Sequence, residues 1–167
     1  MEELIPVLAF FGIFVGILIS KFTREEIRNN RNYLMILSKI IVGILIFVII
    51  LFADNFSLLF AGILLGFLSA YILSEFLFLG FVLGISFFLK KDISLIASSL
   101  VFMYSLIYGS LIRISTFSYS KILILFIMFF LPFSIFLLEK VFLLDLLIGF
   151  VAGGLSNYLI GNKFVLA

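Results

Sequence analysis

The sequence predicts an all-helical integral membrane protein, and three observations support this fold class. First, 65% of the 167 residues are hydrophobic and only 12% are charged, whereas a soluble domain of this size needs far more polar residues to cover its surface. Second, apolar runs long enough to cross a bilayer recur along the whole chain. Third, one short motif occurs twice, which indicates two related halves. Segments of alternating polarity, the signature of a transmembrane β-barrel, are absent.

Seven apolar segments follow one another, at about 4–21, 34–52, 57–73, 76–90, 93–112, 121–138 and 142–160. We interpret them as a bundle of about seven transmembrane helices. The fourth segment is the weakest, because its apolar run Phe76–Leu89 makes a helix of only about 21 Å, against a hydrocarbon core of roughly 30 Å. It either spans the bilayer, with Lys90 and Lys91 snorkelling to the surface, or is re-entrant.

The repeated motif links the third and the seventh segment. Leu-x-x-Gly-x-x-x-Gly-x-Leu-Ser-x-Tyr runs from Leu59 to Tyr71 and returns, 87 residues later, from Leu146 to Tyr158. Shifting the first half by the same offset also superimposes its other apolar segments on those of the second half. This spacing indicates an ancient duplication. The alternative is that two helices independently need small residues at a packing face.

The duplication predicts a three-plus-one-plus-three plan in a single membrane domain. Its first half covers about 1–75, a linker helix about 76–90 and its second half about 91–167. If the linker spans, the halves sit the same way up; if it does not, they are inverted, and both arrangements occur in transporters. We expect the first, because direct repeats superimpose same-way-up halves and because a lipid-exposed, non-spanning segment leaves backbone groups unsatisfied.

Positive charges predict the orientation in a cell membrane. The first loop carries four basic residues, namely Lys21, Arg24, Arg28 and Arg31, and we therefore place it in the cytoplasm and the N-terminus outside. Eight of the eleven basic residues then lie inside. The same ratio results from six spans, so charge does not decide the number of crossings. The abundance of Lys, Ile and Phe without Trp is typical of an AT-rich prokaryotic source.

The first loop also predicts a short helix and contacts with the membrane. Thr23 followed by Glu26 fits a capping box, in which each residue satisfies a free backbone donor. Mixed charges in this loop suit membrane lipid head groups or a partner protein. Other membrane subunits and a second copy of the chain are the partners that we consider, whereas a net charge of +2 argues against nucleic acid.

Two sets of small residues at helical spacing are predicted to form packing faces: Gly62, Gly66 and Ser69, and Gly149, Gly153 and Ser156. Small residues four and seven positions apart lie on one face of a helix and let two backbones approach closely. These faces are either an ordinary helix contact or a gate along a substrate path on a pseudo-twofold axis.

Three polar residues in or beside apolar segments are candidate binding residues. Lys39 lies inside the second segment, where it either snorkels to the surface or pairs with an acid or an anionic head group. Asp145 begins the seventh segment and either binds a ligand or complements the helix dipole. Asn157 is an amide deep in an apolar helix and needs a hydrogen-bond partner from another helix.

The fifth segment is the richest in hydroxyl groups. Ser98 and Ser105 lie seven residues apart and share one helix face with Ser94. A hydroxyl face lines a hydrated path or satisfies polar groups inside a bundle, and both alternatives stay open. We interpret Tyr71 and Tyr158 as anchors at the membrane interface, and Glu75 as part of a solvated turn.

Several functions are disfavoured because the residues for them are missing. The chain contains no Cys and no His, which removes disulfides, thiolate chemistry and the usual metal ligand and proton shuttle. It also lacks a phosphate-binding glycine loop and the common hydrolase motifs. We expect no metal and no cofactor, and we consider an enzyme less plausible than a non-enzymatic role.

The three-plus-one-plus-three plan is similar in architecture to the SWEET sugar transporters. The prolines that this resemblance implies in both halves are missing, since Pro6 and Pro132 have Ile93 and Leu45 as repeat partners, and we assign no family. Three functions remain: a small transporter or channel with a path between the halves, a non-catalytic subunit or assembly factor of a larger complex, and a lipid-modifying enzyme.

Overall fold

Eight α-helices make up the part of the chain that the structure describes. This computed structural model describes residues 5–89, 91–112, 119–136 and 144–161. The helices are α1 Ile5–Phe22, α2 Arg24–Asn29, α3 Arg31–Ile50, α4 Phe56–Ser69, α5 Glu75–Leu89, α6 Lys91–Leu111, α7 Tyr119–Phe136 and α8 Leu144–Ile160. Those residues contain no β-strand, so the prediction of an all-helical fold is confirmed.

Each predicted apolar segment corresponds to one helix, and α2 is the short helix expected in the first loop. The predicted capping box at the start of α2 is wrong. Thr23 makes no cap hydrogen bond; its Oγ1 instead donates to the carbonyl oxygen of Ile19, 2.9 Å away. Because α2 follows α1 almost without interruption, the carbonyl oxygen of Ile19 in the last turn of α1 accepts from both the backbone N–H and the hydroxyl of Thr23.

Two helices of the fold meet backbone to backbone at the repeated glycines. Gly62 of α4 and Gly149 of α8 lie opposite each other: a Cβ built on Gly62 would lie 2.9 Å from the Cα of Gly149, and the reverse distance is 3.0 Å. One turn later a Cβ on Gly66 would collide with the carbonyl oxygen of Phe150, and Gly153 is equally confined. Only glycine therefore permits this separation of α4 and α8.

The two motif helices run in the same direction. Residue numbers rise together along their contact, since Gly62 faces Gly149 and Gly66 faces Gly154. At the start of both helices, the backbone N–H of Asp54 donates to Oδ1 of Asp145 at 3.0 Å. The α4–α8 pair is therefore parallel.

A second contact of the same kind joins α1 to α6. A Cβ on Gly12 would lie 3.1 Å from the Cβ of Ser105, and a Cβ on Gly16 would lie 3.0 Å from the Cα of Gly109. These numbers also rise together, so α1 and α6 are parallel as well. The spacing Gly12-x-x-x-Gly16 is visible in the sequence, but it lies outside the repeated motif.

The centre of the bundle is α5, the helix of the weakest predicted segment. All residues from Phe76 to Ser86 are buried, and α5 packs on α6, α7 and α8. Its Gly80 lies against Phe129 and Pro132 of α7. Because α5 is covered by protein, the expectation that a non-spanning fourth segment would expose its backbone to lipid does not apply.

Several helices carry large apolar side chains on their outer faces. On α3, Leu45 and Ile49 are buried, while Ile40 and Phe47, on the opposite side, are exposed. Large exposed aliphatic and aromatic side chains also occur on α1, α4 and α7. An amphipathic helix of a soluble domain carries polar residues on its outer face instead.

Two helices within the described residues, Arg31–Ile50 and Asp92–Leu111, are long and apolar enough to cross a membrane. The other apolar helices are shorter. Length and composition alone are weak evidence for a membrane location. Four basic residues of the charge count, Lys90, Arg113, Lys140 and Lys163, lie outside the described residues, and the orientation stays a prediction.

The internal repeat and the division into two halves also stay predictions. The motif helices α4 and α8 pack on each other, whereas the second helices of the two halves have unlike surroundings. In the described chain α3 packs on α6 and α8, and α7 packs mainly on α5. A duplication that has diverged and two independent glycine contacts both explain this arrangement.

Leucine at Gly66 or Gly153 is expected to lower the free energy of unfolding by about 1–3 kcal/mol, because the isobutyl group must force the backbones of α4 and α8 apart. Gly43→Leu is the matched control, since Gly43 lies in α3 with nothing within 4 Å of an added Cβ; there leucine gains helix propensity without a clash. Thermal unfolding in detergent measures the ranking. Equal tolerance at all three positions would show that α4 and α8 do not meet at their glycines.

Candidate functional site

Two of the predicted binding residues join α8 to α4. Oδ1 of Asp145 accepts the hydrogen bond from the Asp54 backbone, and Nδ2 of Asn157 donates to the carbonyl oxygen of Phe67 at 3.0 Å. The two residues lie near opposite ends of α8, separated by about 18 Å of helix. They hold the two ends of the α4–α8 pair and do not share a site.

The other predicted binding residues are not brought together either. Lys39 is half-buried on α3 and has no ion pair among the described groups. Ser98 Oγ donates to the carbonyl oxygen of Leu95 in its own helix at 2.9 Å. Ser105 is buried against α1, and its Oγ has no hydrogen-bond partner within the described part of the chain. These positions outline no polar path.

The repeated serines make local hydrogen bonds. Ser69 Oγ donates to the carbonyl oxygen of Gly66 at 2.9 Å, and Ser156 Oγ donates to that of Ala152 at 2.7 Å. Both bonds close within the serine's own helix, as is common for a hydroxyl placed inside a helix. The contact between the two motif faces is thus made by their glycines.

A carboxyl group and three phenols come together where α4 turns into α5. Oε2 of Glu75 accepts a hydrogen bond from the hydroxyl of Tyr104, a buried residue of α6, at 2.7 Å. Tyr108 lies one turn further along α6 and stacks beside Tyr104, with 6.3 Å between ring centroids. Tyr158 approaches from α8. We name Glu75, Tyr104, Tyr108 and Tyr158 the tyrosine–carboxylate cluster.

The connection between α4 and α5 positions the carboxyl group. After α4 ends, the chain makes a tight turn in which the N–H groups of Ile72 and Leu73 donate to the carbonyl oxygen of Ser69. The Tyr158 hydroxyl donates to the carbonyl oxygen of Leu73, which ties this turn to α8. Glu75 then opens α5, where the helix dipole favours a carboxylate.

The carboxyl group of Glu75 has no positive partner among the described side chains. The basic residues with described side chains are Lys21, Arg24, Arg28, Arg31 and Lys39, and none forms an ion pair with it. Glu75 lies in the connection between the apolar segments 57–73 and 76–90. There burial raises the pKa of Glu75, and the hydrogen bond from Tyr104 partly opposes this effect.

The sequence interpretation of two cluster members was wrong. Tyr158 is only 7% exposed, so it does not anchor the chain at an interface, although its repeat partner Tyr71 is 63% exposed as an anchor would be. Glu75 faces tyrosines of another helix and not a solvated turn. One signal was available: Tyr104 and Tyr108 are one helical turn apart in the segment richest in hydroxyl groups.

No protein-family model matches the chain, and comparisons with curated proteins and with solved structures return no match either. The functional argument therefore depends on the geometry of this molecule.

The stability of the protein should depend on pH through Glu75. Its pKa is raised on folding, so its contribution to stability is complete below the pKa of the unfolded chain and is lost as the pH rises through the folded-state pKa. The unfolding temperature of the wild type should therefore fall relative to that of Glu75→Gln between about pH 4.5 and about pH 7.

The matched control is Asp92→Asn, which removes an exposed acid at the start of a neighbouring helix. The fall in unfolding temperature should persist in this variant, because Glu75 is unchanged in it. Parallel curves for the wild type and Glu75→Gln would show that the Glu75 carboxyl group is in contact with water.

Proposed function

We propose that this chain is a multi-pass integral membrane protein that carries small cations, with the tyrosine–carboxylate cluster as its working site. The apolar outer faces of α1, α3, α4 and α7 support the membrane part of the proposal. A bilayer solvates such faces, whereas water does not. The two helices of sufficient length and hydropathy agree with it.

The directions of the helices support seven crossings with both halves the same way up. α4 and α8 are parallel, so an odd number of crossings must separate them. Three helices, α5, α6 and α7, lie between them in the chain. If α5 were re-entrant, only two crossings would remain and the pair would be antiparallel. The parallel pair α1 and α6 supports the crossing of α5 in the same way.

The single observation that carries the cation proposal is the carboxyl group of Glu75, which lies at the junction of the two halves and has no basic partner among the described side chains. It lies in the connection from the first half, and its neighbours Tyr104 and Tyr158 belong to the second half. Carboxylates inside a membrane protein are costly and mark ion pathways. A carboxylate among hydroxyl groups, with no basic partner described, attracts cations and repels anions.

One observation favours the alternative of a non-catalytic subunit. The two motif faces leave no path between them, because α4 and α8 touch at backbone distance. The carrier proposal therefore places the path at the cluster, between the α4–α5 connection, α6 and α8. A non-catalytic subunit of a larger complex would need no ion path through this chain.

Charge movement in liposomes distinguishes these two functions. Protein reconstituted into liposomes on a supported membrane should give a current when the outside concentration of Na⁺, K⁺ or H⁺ is raised. Glu75→Gln should lower this current by about tenfold or more, since a neutral amide does not offset the cost of bringing a cation into the protein. Glu26→Gln, an exposed acid in α2, should leave it unchanged. No current with any of the three ions would favour the subunit.

The orientation is tested by labelling single cysteines, which is straightforward because the chain has none. Asp54→Cys, in the connection between α3 and α4, should react with an impermeant maleimide added outside intact cells. Asn30→Cys, in the first loop, should react only after the membrane is permeabilised, because positively charged loops stay inside. The reverse pattern would invert the topology.

A further inference from the structure

We propose that the cation bound at the tyrosine–carboxylate cluster is a proton, which is held by the carboxyl group of Glu75. This inference rests on the proposed cation-carrier function and names its ion. It follows from the hydrogen bonds and the charges around the carboxyl group.

The oxygens around the α4–α5 connection favour a proton over a metal ion. Sodium or potassium needs a shell of several oxygen ligands that replaces its water. Here the Tyr104 hydroxyl points its hydrogen at Glu75, and the Leu73 carbonyl already accepts from Tyr158. A proton needs only one free lone pair of the carboxylate.

The groups that face Glu75 are uncharged at neutral pH. Tyr104 and Tyr108 face it from α6, and Tyr158 faces it from α8. No basic side chain is paired with it in the described residues. Adding a proton to the carboxylate therefore removes a negative charge that no described basic side chain offsets.

Loading the site forms one O–H bond on a carboxyl oxygen of Glu75. The proton comes from hydronium, which leaves as water.

Loading the proton would change how the α4–α5 connection is held. That connection is tied to α8 by Tyr158 and to α6 by the bond between Tyr104 and Glu75. A hydrogen bond to an ionised acceptor is roughly twice as strong as a neutral one. Protonation therefore weakens the hydrogen bond between Tyr104 and Glu75 and leaves the one between Tyr158 and Leu73 unchanged. The α4–α5 connection would then move relative to α6 when the proton binds.

Infrared titration of the purified protein in detergent tests the assignment without any ion gradient. The wild type should show a carboxylic-acid C=O band near neutral pH. Glu75→Gln should lose this band, and Asp92→Asn should keep it. In Tyr104→Phe the band should persist to still higher pH, because the bond that favours the ionised form is gone.

Two results would overturn the proton assignment. One is a carboxylic-acid band near neutral pH that is absent from the wild type or that survives in Glu75→Gln. The other is a titration midpoint that moves to lower pH when choline is replaced by Na⁺ at constant ionic strength, because a competing metal would then be the ligand. Absence of a liposome current with an intact Glu75 titration would reject only the carrier function, and a current with an ordinary titration would reject only the proton.

Discussion

The backbone contact between α4 and α8 is the constraint on which the rest of the structure depends. Gly62 and Gly149 bring the helices so close that no side chain fits between them. Packing of this kind does not need water to drive it, because dispersion and weak Cα–H···O contacts accumulate over the length of the pair. Hydrogen bonds fix the two ends of this helix pair. Asp145 accepts one from the backbone just before α4, and Asn157 donates one to a carbonyl oxygen near the end of α4.

This pair also determines where the polar chemistry lies. Because α4 and α8 are parallel and in register, the last turn of α8 reaches the connection that follows α4, and Tyr158 binds the Leu73 carbonyl there. The same connection places Glu75 within hydrogen-bond distance of Tyr104 in α6. The carboxyl group is thus placed beside Tyr104 through a helix pair held together by glycines that carry no chemistry themselves. A substitution at these glycines should disturb the cluster at a distance.

The sequence predicted the fold class and the helices better than the site. Apolar runs define helix positions directly, and the glycine spacing identified the faces on which α4 and α8 meet. The site depends on which helices become neighbours, and periodicity within one helix carries no such information. Glu75 and Tyr104 are 29 residues apart in the chain. Taken alone, Glu75 looks like a polar turn residue, and Tyr158 looks like its exposed repeat partner Tyr71. Conversely Asp145 and Asn157, which looked functional as isolated polar groups, have structural partners.

Oxidative cross-linking in the native membrane tests the parallel α4–α8 pair most directly. Asp54→Cys combined with Asp145→Cys places two thiols at the same end of the pair, where the backbone of one residue binds the side chain of the other at 3.0 Å. This double variant should form an intramolecular disulfide readily, since the geometry is within reach of an S–S bond. Asp54→Cys with Gly161→Cys, at the far end of α8, should not. A disulfide in the second variant and none in the first would show an antiparallel pair and contradict the account.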